Sequence, residues 1–212
     1  MKILAIIAAM FISFTCSAQW PEQSPELFHA INIDSYSGVK LRLDQGDNPN
    51  AADKDGYTVL MYAARDGQQE IVGLLLDRGG SVNAENNFQE TALLLAAFFG
   101  HLETVQTLLN NGAVINRSGK WNPLHYAAWG GWTTIVQYLL DRGAEVNALA
   151  PNQATPLMMA THERKGNVIK QLVAAGANVN IKNDADATAL SWAKKADYPE
   201  IVDLLVQSGA ME

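Results

Sequence analysis

The chain has 212 residues, of which 48% are hydrophobic and 17% are charged, and its formal net charge at pH 7 is −7. This apolar fraction is sufficient for a packed core and argues against wholesale disorder. The acidic balance argues against nonspecific nucleic-acid binding, which needs clustered lysine and arginine. The one cysteine, Cys16, excludes an intrachain disulfide and a cysteine-based zinc site.

Residues 1–18 have the pattern of a secretory signal peptide. Lys2 supplies a positive charge, and the apolar run over residues 3–12 is too short to span a bilayer, which takes about 20 residues. The three residues that end at Ala18 form a small-x-small site, so we expect cleavage between Ala18 and Gln19. A buried N-terminal helix is the alternative interpretation of this segment.

Cleavage would change both the charge and the thiol content of the chain. Loss of Lys2 leaves fourteen basic against twenty-two acidic side chains, a net charge of −8, and loss of Cys16 leaves no thiol. A thiol-free chain suits an oxidising compartment. A lipoprotein acylated at Cys16 is a second alternative, although the residues before this cysteine fit it poorly. We expect residues 19–24 to be a short linker.

A repeat of about 33 residues organises the rest of the chain. Glycines recur at spacings of 33, 33, 31, 33 and 33, with a valine or isoleucine seven residues before each and an asparagine four residues after the first five. The glycines are Gly46, Gly79, Gly112, Gly143, Gly176 and Gly209, and the asparagines are Asn50, Asn83, Asn116, Asn147 and Asn180.

Each column of the repeat has a physical interpretation. Apolar residues such as Ile71, Val72 and Leu75 recur at helical spacing before the glycine, which can end that helix in the left-handed conformation. We expect the asparagine to hydrogen-bond local backbone in the turn that follows. A second set of positions predicts another helix, capped by a threonine and kept thin by paired alanines. These residues are Thr58, Thr91, Thr155, Thr188, Ala63, Ala64, Ala96, Ala97, Ala127 and Ala128.

Two segments resemble the core of a known repeat. Residues 122–128 read Asn-Pro-Leu-His-Tyr-Ala-Ala and residues 155–160 read Thr-Pro-Leu-Met-Met-Ala, both similar to the Thr-Pro-Leu-His-x-Ala-Ala core of ankyrin repeats. The resemblance extends over residues 25–212. It implies an all-α repeat solenoid of helix–turn–helix units joined by β-hairpin fingers. We count six units, at residues 25–52, 53–84, 85–116, 117–148, 149–181 and 182–212.

The two terminal units depart from the repeat by gaining polar residues. Lys40 and Arg42 stand where the second unit has Gly73 and Leu75, while Lys194, Lys195 and Asp197 follow the alanine column of the last unit. Such substitutions are expected to shield the open ends of a solenoid.

The sequence contains no recognisable catalytic constellation. Its four histidines, His29, His101, His125 and His162, fall in different units. The pair His162-Glu163 begins like a zinc-protease motif, but Gly166 stands where a second histidine is required. The resemblance implies structural roles for His101 and His125. We therefore predict that the protein is not an enzyme and that it has no catalytic residue, no cofactor and no metal site.

The candidate functional site is a surface. In solenoids of the ankyrin type the fingers and the outward positions of the first helix line a concave face, and several of these positions are aromatic here. The candidate residues are Tyr57, Arg65, Asp66, Phe88, Glu90, Phe98, Phe99, Trp121, Trp129, His162 and Glu163. They form a partner-binding strip centred on units three and four, or, alternatively, Phe98, Phe99 and Trp129 pack sideways between units.

Two further features bear on recognition. The distance from Asn116 to Asn122 is two residues shorter than that from Asn83 to Thr91, which predicts a clipped finger beside Trp121. This is either a harmless loop shortening or a notch for a ligand. Acidic residues concentrate in the first half of the chain, where they form either a solvated face or a surface that steers a basic partner.

These observations lead to an exported, monomeric protein that binds another protein. The short signal and the lack of disulfides indicate a bacterial periplasm. The partner would be a basic protein, such as a toxin, or an envelope or stress enzyme, with no nucleic acid and, after signal cleavage, no membrane involved. The resemblance implies one of at least two roles known among exported bacterial ankyrin proteins: an immunity protein that neutralises a periplasm-acting toxin, or an accessory factor in peroxide and catalase stress protection. Envelope scaffolding is a further alternative.

Overall fold

The computed structural model describes residues 24–211 of the chain. The predicted signal peptide, its cleavage site between Ala18 and Gln19, and the linker up to residue 23 lie outside the described residues, as does the cysteine considered for acylation.

The described part of the chain forms twelve short helices in six consecutive pairs, one pair in each predicted unit range. The helices are α1 (Pro25–Asn32), α2 (Tyr36–Asp44), α3 (Val59–Arg65), α4 (Gln69–Asp77), α5 (Ala92–Phe99), α6 (Leu102–Asn110), α7 (Pro123–Gly130), α8 (Thr133–Asp141), α9 (Pro156–His162), α10 (Gly166–Ala174), α11 (Ala189–Lys195) and α12 (Pro199–Gln207). The prediction of an all-α repeat solenoid is confirmed. None of the described helices is both long enough and apolar enough to cross a membrane.

The odd-numbered helices, which we call the inner helices, begin at side-chain caps from α3 onward, whereas Ser24 before α1 makes no such hydrogen bond. The Thr58 hydroxyl accepts a hydrogen bond from the Met61 amide at 3.2 Å, and the cap is repeated at the other threonines of this column. In the fourth unit Asn122 takes this place, and its own amide donates to His125 Nδ1 at 3.2 Å. The caps satisfy amide groups that have no partner inside the helix.

Small residues allow the inner helices to approach one another closely. The alanine pairs at 63–64, 96–97 and 127–128 are fully buried between neighbouring units. The inner helices pack against each other more closely than the even-numbered outer helices do. The stack therefore curves toward the inner helices, which line its concave side.

Each outer helix ends two residues before a glycine of the 33-residue column. All six glycines have φ between 85° and 97°, a conformation that side chains rarely adopt. A Cβ atom added at any of the six would meet no heavy atom within 4 Å. The backbone angle, and not a lack of space, is what selects glycine here.

The asparagine column links each unit to the next one. Asn83 Nδ2 donates to the Gly112 carbonyl at 3.0 Å, and its Oδ1 accepts from the Val114 amide at 2.9 Å. Asn50, Asn116 and Asn180 make the same pair of bonds to the following unit, and Asn147 makes the second of them. The expectation of local bonds within the turn was therefore wrong, because these side chains reach backbone 27 to 31 residues ahead.

The fingers are single turns and not extended hairpins. Within residues 24–211 the only β pairing is one isolated antiparallel bridge, between Ala52 and Thr58. The second finger is closed by the Asp53 amide, which donates to the Tyr57 carbonyl at 3.0 Å, and equivalent bonds close three others. Five-residue turns leave no room for a longer ladder.

The fourth finger keeps its turn and loses the segment that leads into it. In the other units an asparagine and two more residues precede the turn, whereas in the fourth unit Arg117 follows Asn116 directly. The turn is closed by a side chain, since the Arg117 amide donates to Asn122 Oδ1 at 2.7 Å. The shortening therefore lies before the finger, and the turn that carries Trp121 has the usual length.

At three outer helices the side chain of the N-cap residue binds the backbone of the preceding unit. Gln68 Nε2 donates to the Ile31 carbonyl at 2.7 Å, His101 Nε2 lies 2.8 Å from the Arg65 carbonyl, and Trp132 Nε1 donates to the Phe98 carbonyl at 2.7 Å. These bonds satisfy carbonyls at the ends of inner helices. For His101 this bond is a structural role, which is what the resemblance implies for this histidine.

The ends of the stack are only partly polar. Arg42 pairs with Asp47 at 3.0 Å, and the lysines of the last inner helix are exposed. Leu41 at one end and Val206 at the other are each about half exposed.

The asparagine links can be tested by removing one of them. We expect Asn83→Ala to lower the free energy of unfolding by about 1–3 kcal/mol, because two hydrogen bonds between units are lost. Urea unfolding followed by circular dichroism measures this. Asn167→Ala, an exposed asparagine of α10, is the control and should stay within about 0.5 kcal/mol of wild type. An equal effect of the two changes would show that the links carry no stability.

Candidate functional site

One position of the inner helices forms a continuous row along the concave side. This inner row consists of Arg65, Phe98, Trp129, His162 and Lys195, each near the C-terminal end of its helix. None of the five is buried: His162 and Lys195 are exposed and the other three are half-buried. Four of the five were predicted site residues, and the structure places them in successive units.

The C-terminal half of the row is a stack of rings across three units. The imidazole of His162 lies over the indole of Trp129, with ring centroids 4.9 Å apart and planes inclined by 21°. Its other neighbour is Trp192 of the last unit, which meets it edge-on at 5.8 Å. His162 Nδ1 lies 2.8 Å from Glu163 Oε1, so the carboxylate fixes the orientation of the imidazole.

The middle of the row is a second aromatic group. Phe98 meets Phe99 at 5.0 Å and Tyr126 at 5.9 Å, both edge-on. Phe98 and Trp129 also pack against the hydrophobic core. The two sequence interpretations therefore do not exclude each other, because both side chains pack between units and still present part of their surface on the concave side.

At the N-terminal end of the row the residues are charged. Arg65 Nε and Nη2 donate to the two carboxylate oxygens of Asp66 at 2.7 and 2.8 Å, and the guanidinium lies 4.9 Å from the centre of the Tyr62 ring. The pair is partly exposed, and its planar geometry is suited to contact with a flat or charged group of a partner.

The finger residues lie beside the middle of the row, since Trp121 meets Tyr126 edge-on at 6.3 Å and Tyr126 in turn meets Phe98. Phe88 is 49% exposed on the third finger, and its ring lies 6.2 Å from that of half-buried Tyr57. Trp121 is half-buried and meets His125 edge-on at 5.4 Å. Glu90 differs from the expectation of an outward position: it is only 2% exposed, because Tyr57 and Asn86 cover and bind its carboxylate.

Charge is distributed unevenly along the stack. Residues 25–116, the first three units, contain five basic and twelve acidic side chains, a net charge of −7. Residues 117–212 contain nine of each, a net charge of zero. Most of the described acids near the fingers are already paired; for example, Lys120 and Arg117 bind Glu85 and lower the pKa of its carboxyl. The net negative charge of the molecule nonetheless lies in the first three units, so the two ends of the surface differ in electrostatic potential.

Three aromatic residues of this surface were missed in the sequence. Tyr126 and Trp192 occupy the position three residues before the inner row. Each stands directly before the alanine column, so the alanine pattern could have identified both. Trp132 covers Gly100 and Gly130, where an added Cβ atom would collide with its indole ring. Its position at the start of an outer helix gave no sign that it would lie across two glycines.

The described residues offer no metal centre, since they contain no group of three or more His, Cys, Asp or Glu side chains arranged to hold an ion. His125 is buried, with Nδ1 accepting from the Asn122 amide and Nε2 within 3.1 Å of the Ala148 and Ala154 carbonyls. Burial lowers the pKa of His125 to about 4, against the weaker opposing effect of the backbone hydrogen bonds. This histidine connects the fourth and fifth units and has no access to a substrate.

Comparison with known proteins finds one family model, described as ankyrin repeats (3 copies), which matches residues 27–119, 81–150 and 124–211. Similar curated proteins include the ankyrin repeat and KH domain-containing protein mask-1 of Caenorhabditis elegans, 35% identical over 92 residues, which are 42% of this chain and 4% of that protein. The B-cell lymphoma 3 protein homolog of Mus musculus is 34% identical over 88 residues, 41% of this chain and 20% of that protein.

The chain thus spans a fifth or less of the length of these two relatives. Among solved structures, the human ASB11 ankyrin repeat domain is similar with a TM-score of 0.81 and 26% identity, covering 87% of this chain and 84% of that one.

The burial of His125 predicts a loss of stability in mild acid. Its folded pKa of about 4 lies below the unfolded value near 6.5, so the unfolded state takes up the proton first and stability falls as the pH drops from about 6.5 to 4. We expect a loss of roughly 2 kcal/mol between pH 7 and pH 5. Urea unfolding at several pH values measures it, and His125→Asn should flatten this slope. An unchanged slope in the variant would contradict the assignment.

Proposed function

Because the chain belongs to the ankyrin-repeat family, whose repeats are protein-interaction modules, we propose that it is a non-catalytic module that binds a protein partner through its concave face. The observation that supports this proposal is the inner row, in which aromatic side chains of successive units are partly exposed and held in place by neighbouring rings.

The inner row has the properties of an interface core. Aromatic side chains bury a large area at a small entropic cost, and they dominate binding energy when a partner covers them. The stacking of Trp129 and His162, and the carboxylate of Glu163, restrict these side chains before binding, which reduces the cost of ordering them. Polar and charged groups at both ends provide the rim.

We also propose that the protein works after export, as a monomer in a bacterial periplasm. The pattern of residues 1–18 supports export, and the absence of cysteine after residue 16 suits an oxidising compartment. Two narrower roles differ in the partner they require: an immunity protein would bind a periplasm-acting toxin, and a stress accessory factor would bind a catalase or another peroxide enzyme. The net charge of −7 on the first three units supports a basic partner in either case.

The concave face can be tested by photo-crosslinking inside the producing cell. A benzophenone amino acid is placed at Phe99, on the concave side, or at Thr134, an exposed residue of the outer helix α8. We expect a discrete crosslinked species from position 99 alone. Mass spectrometry of that species identifies the partner and separates the toxin from the peroxide enzyme.

The purified partner then allows the affinity to be measured. We expect His162→Ala and Phe88→Ala each to weaken binding at least tenfold, about 1.4 kcal/mol, while far-UV circular dichroism stays unchanged. Equal crosslinking from both positions, or full affinity in both variants, would contradict binding through the concave face.

A further inference from the structure

The buried carboxylate of Glu90 is only half satisfied. Its Oε2 accepts two hydrogen bonds, from the Tyr57 hydroxyl and from Asn86 Nδ2, each at 2.8 Å. Its Oε1 accepts none from the described residues, and no described lysine or arginine forms an ion pair with it. A buried carboxylate without a compensating charge is costly, so this arrangement requires an explanation.

The second oxygen, Oε1, is not fully enclosed. Among the described residues, the side-chain atoms that are fully enclosed and lack a hydrogen bond are those of Gln68, Thr104 and Gln171, and Glu90 Oε1 is not one of them. The residue is 2% exposed in total, so the opening is narrow.

Aromatic side chains lie near this carboxylate. Tyr57 binds the neighbouring oxygen of the same carboxylate. Tyr126 lies close enough for the charge of Glu90 to add to the effect of burial in raising the pKa of the tyrosine. Trp121 meets Tyr126 edge-on at 6.3 Å and extends this wall. Aromatic rings beside a carboxylate favour a cation over an anion.

The buried arginine of the fourth unit is already engaged. Arg117, whose side chain is 8% exposed, donates to Glu85 Oε1 and to the carbonyls of Gln89 and Trp121. Arg117 therefore fixes the third and fourth fingers to each other and leaves the oxygen of Glu90 unoccupied by its own donors. A cation from outside can bind there without displacing an internal ion pair.

We propose that Glu90, with Tyr57 and Tyr126, forms a receptor site for a side-chain cation, a lysine ammonium or an arginine guanidinium, of the partner. The inference rests on the proposed function and specifies it: the partner inserts one basic side chain between the second and fourth fingers. The net charge of −7 on units one to three favours the approach of such a partner, and Glu90 provides the single contact that fixes its register.

The site can be tested without knowing the partner. The probes are n-butylammonium and n-butylguanidinium, which reproduce the two side chains, with n-butanol as the uncharged control. Binding is followed on protein labelled with ¹³C and ¹⁵N through the side-chain carboxyl signal of Glu90 and the indole N–H signal of Trp121. We expect at least one of the two cations to shift both signals saturably and n-butanol to shift neither. The stronger of the two cations indicates whether lysine or arginine is bound.

Two matched variants separate this site from general attraction to an acidic protein. Glu90→Gln keeps the shape and an oxygen for the Tyr57 hydroxyl, and we expect it to bind the cation at least tenfold more weakly. Glu103→Gln removes the same charge from an exposed position on α6 and should bind like wild type. Equal binding in the two variants, equal shifts with n-butanol, or no saturable shift in the wild type would overturn the proposal.

The purified partner provides a test that also distinguishes the two proposals. If Glu90→Gln weakens partner binding as Phe88→Ala and His162→Ala do, the cation site is part of the interface. If the partner binds Glu90→Gln with full affinity but loses affinity for His162→Ala, the cation site is refuted and binding through the concave face stands.

Discussion

The structure depends on the side-chain amide that joins each unit to the next. Four of the five asparagines of the column use both donor and acceptor on the backbone of the following turn, and Asn147 uses its acceptor there. At this point the helix has just ended and its carbonyls have no internal partner. A helix pair of about 17 residues cannot bury its own apolar face, so it is stable only beside a neighbour. The asparagine supplies the register of that neighbour, and alanine pairs on the inner helices set the distance. The curvature of the stack and the concave face follow from these two constraints.

The same constraints determine how the surface presents its chemistry. Because the inner helices repeat with a fixed orientation, one sequence position becomes one row in space, and the side chains of five units come together without any loop having to place them. Neighbouring rings then restrict each other, as Trp129 and His162 do. Charge is free to vary along the row because it has no part in the packing, and the chain carries its negative charge in the first three units.

Much of the fold could be predicted from periodicity. The glycine column, the threonine caps and the apolar positions of the outer helices involve interactions between residues that are close in the sequence. Their spacing along the chain is therefore enough to predict them. The asparagine bonds could not be derived in this way, because they depend on where the next unit lies. For the same reason Glu90 was expected to face outward. Its burial results from Tyr57, a residue of the preceding unit whose hydroxyl reaches across the gap. The site residues on the inner helices were found because their column was regular, and Trp132 was missed because its contact crosses two units.

The two-residue deletion in the fourth unit shows how such an architecture tolerates change. The shortened segment is repaired within the same finger by the Asn122 side chain, and the glycine column resumes its spacing of 33 residues in the next unit. The deletion thus changes the structure only within the fourth unit, and the spacing of the following units stays the same. During evolution, each unit can therefore lose or gain residues and exchange its outward side chains independently, so that recognition of a new partner can arise by local edits while the other units keep their packing.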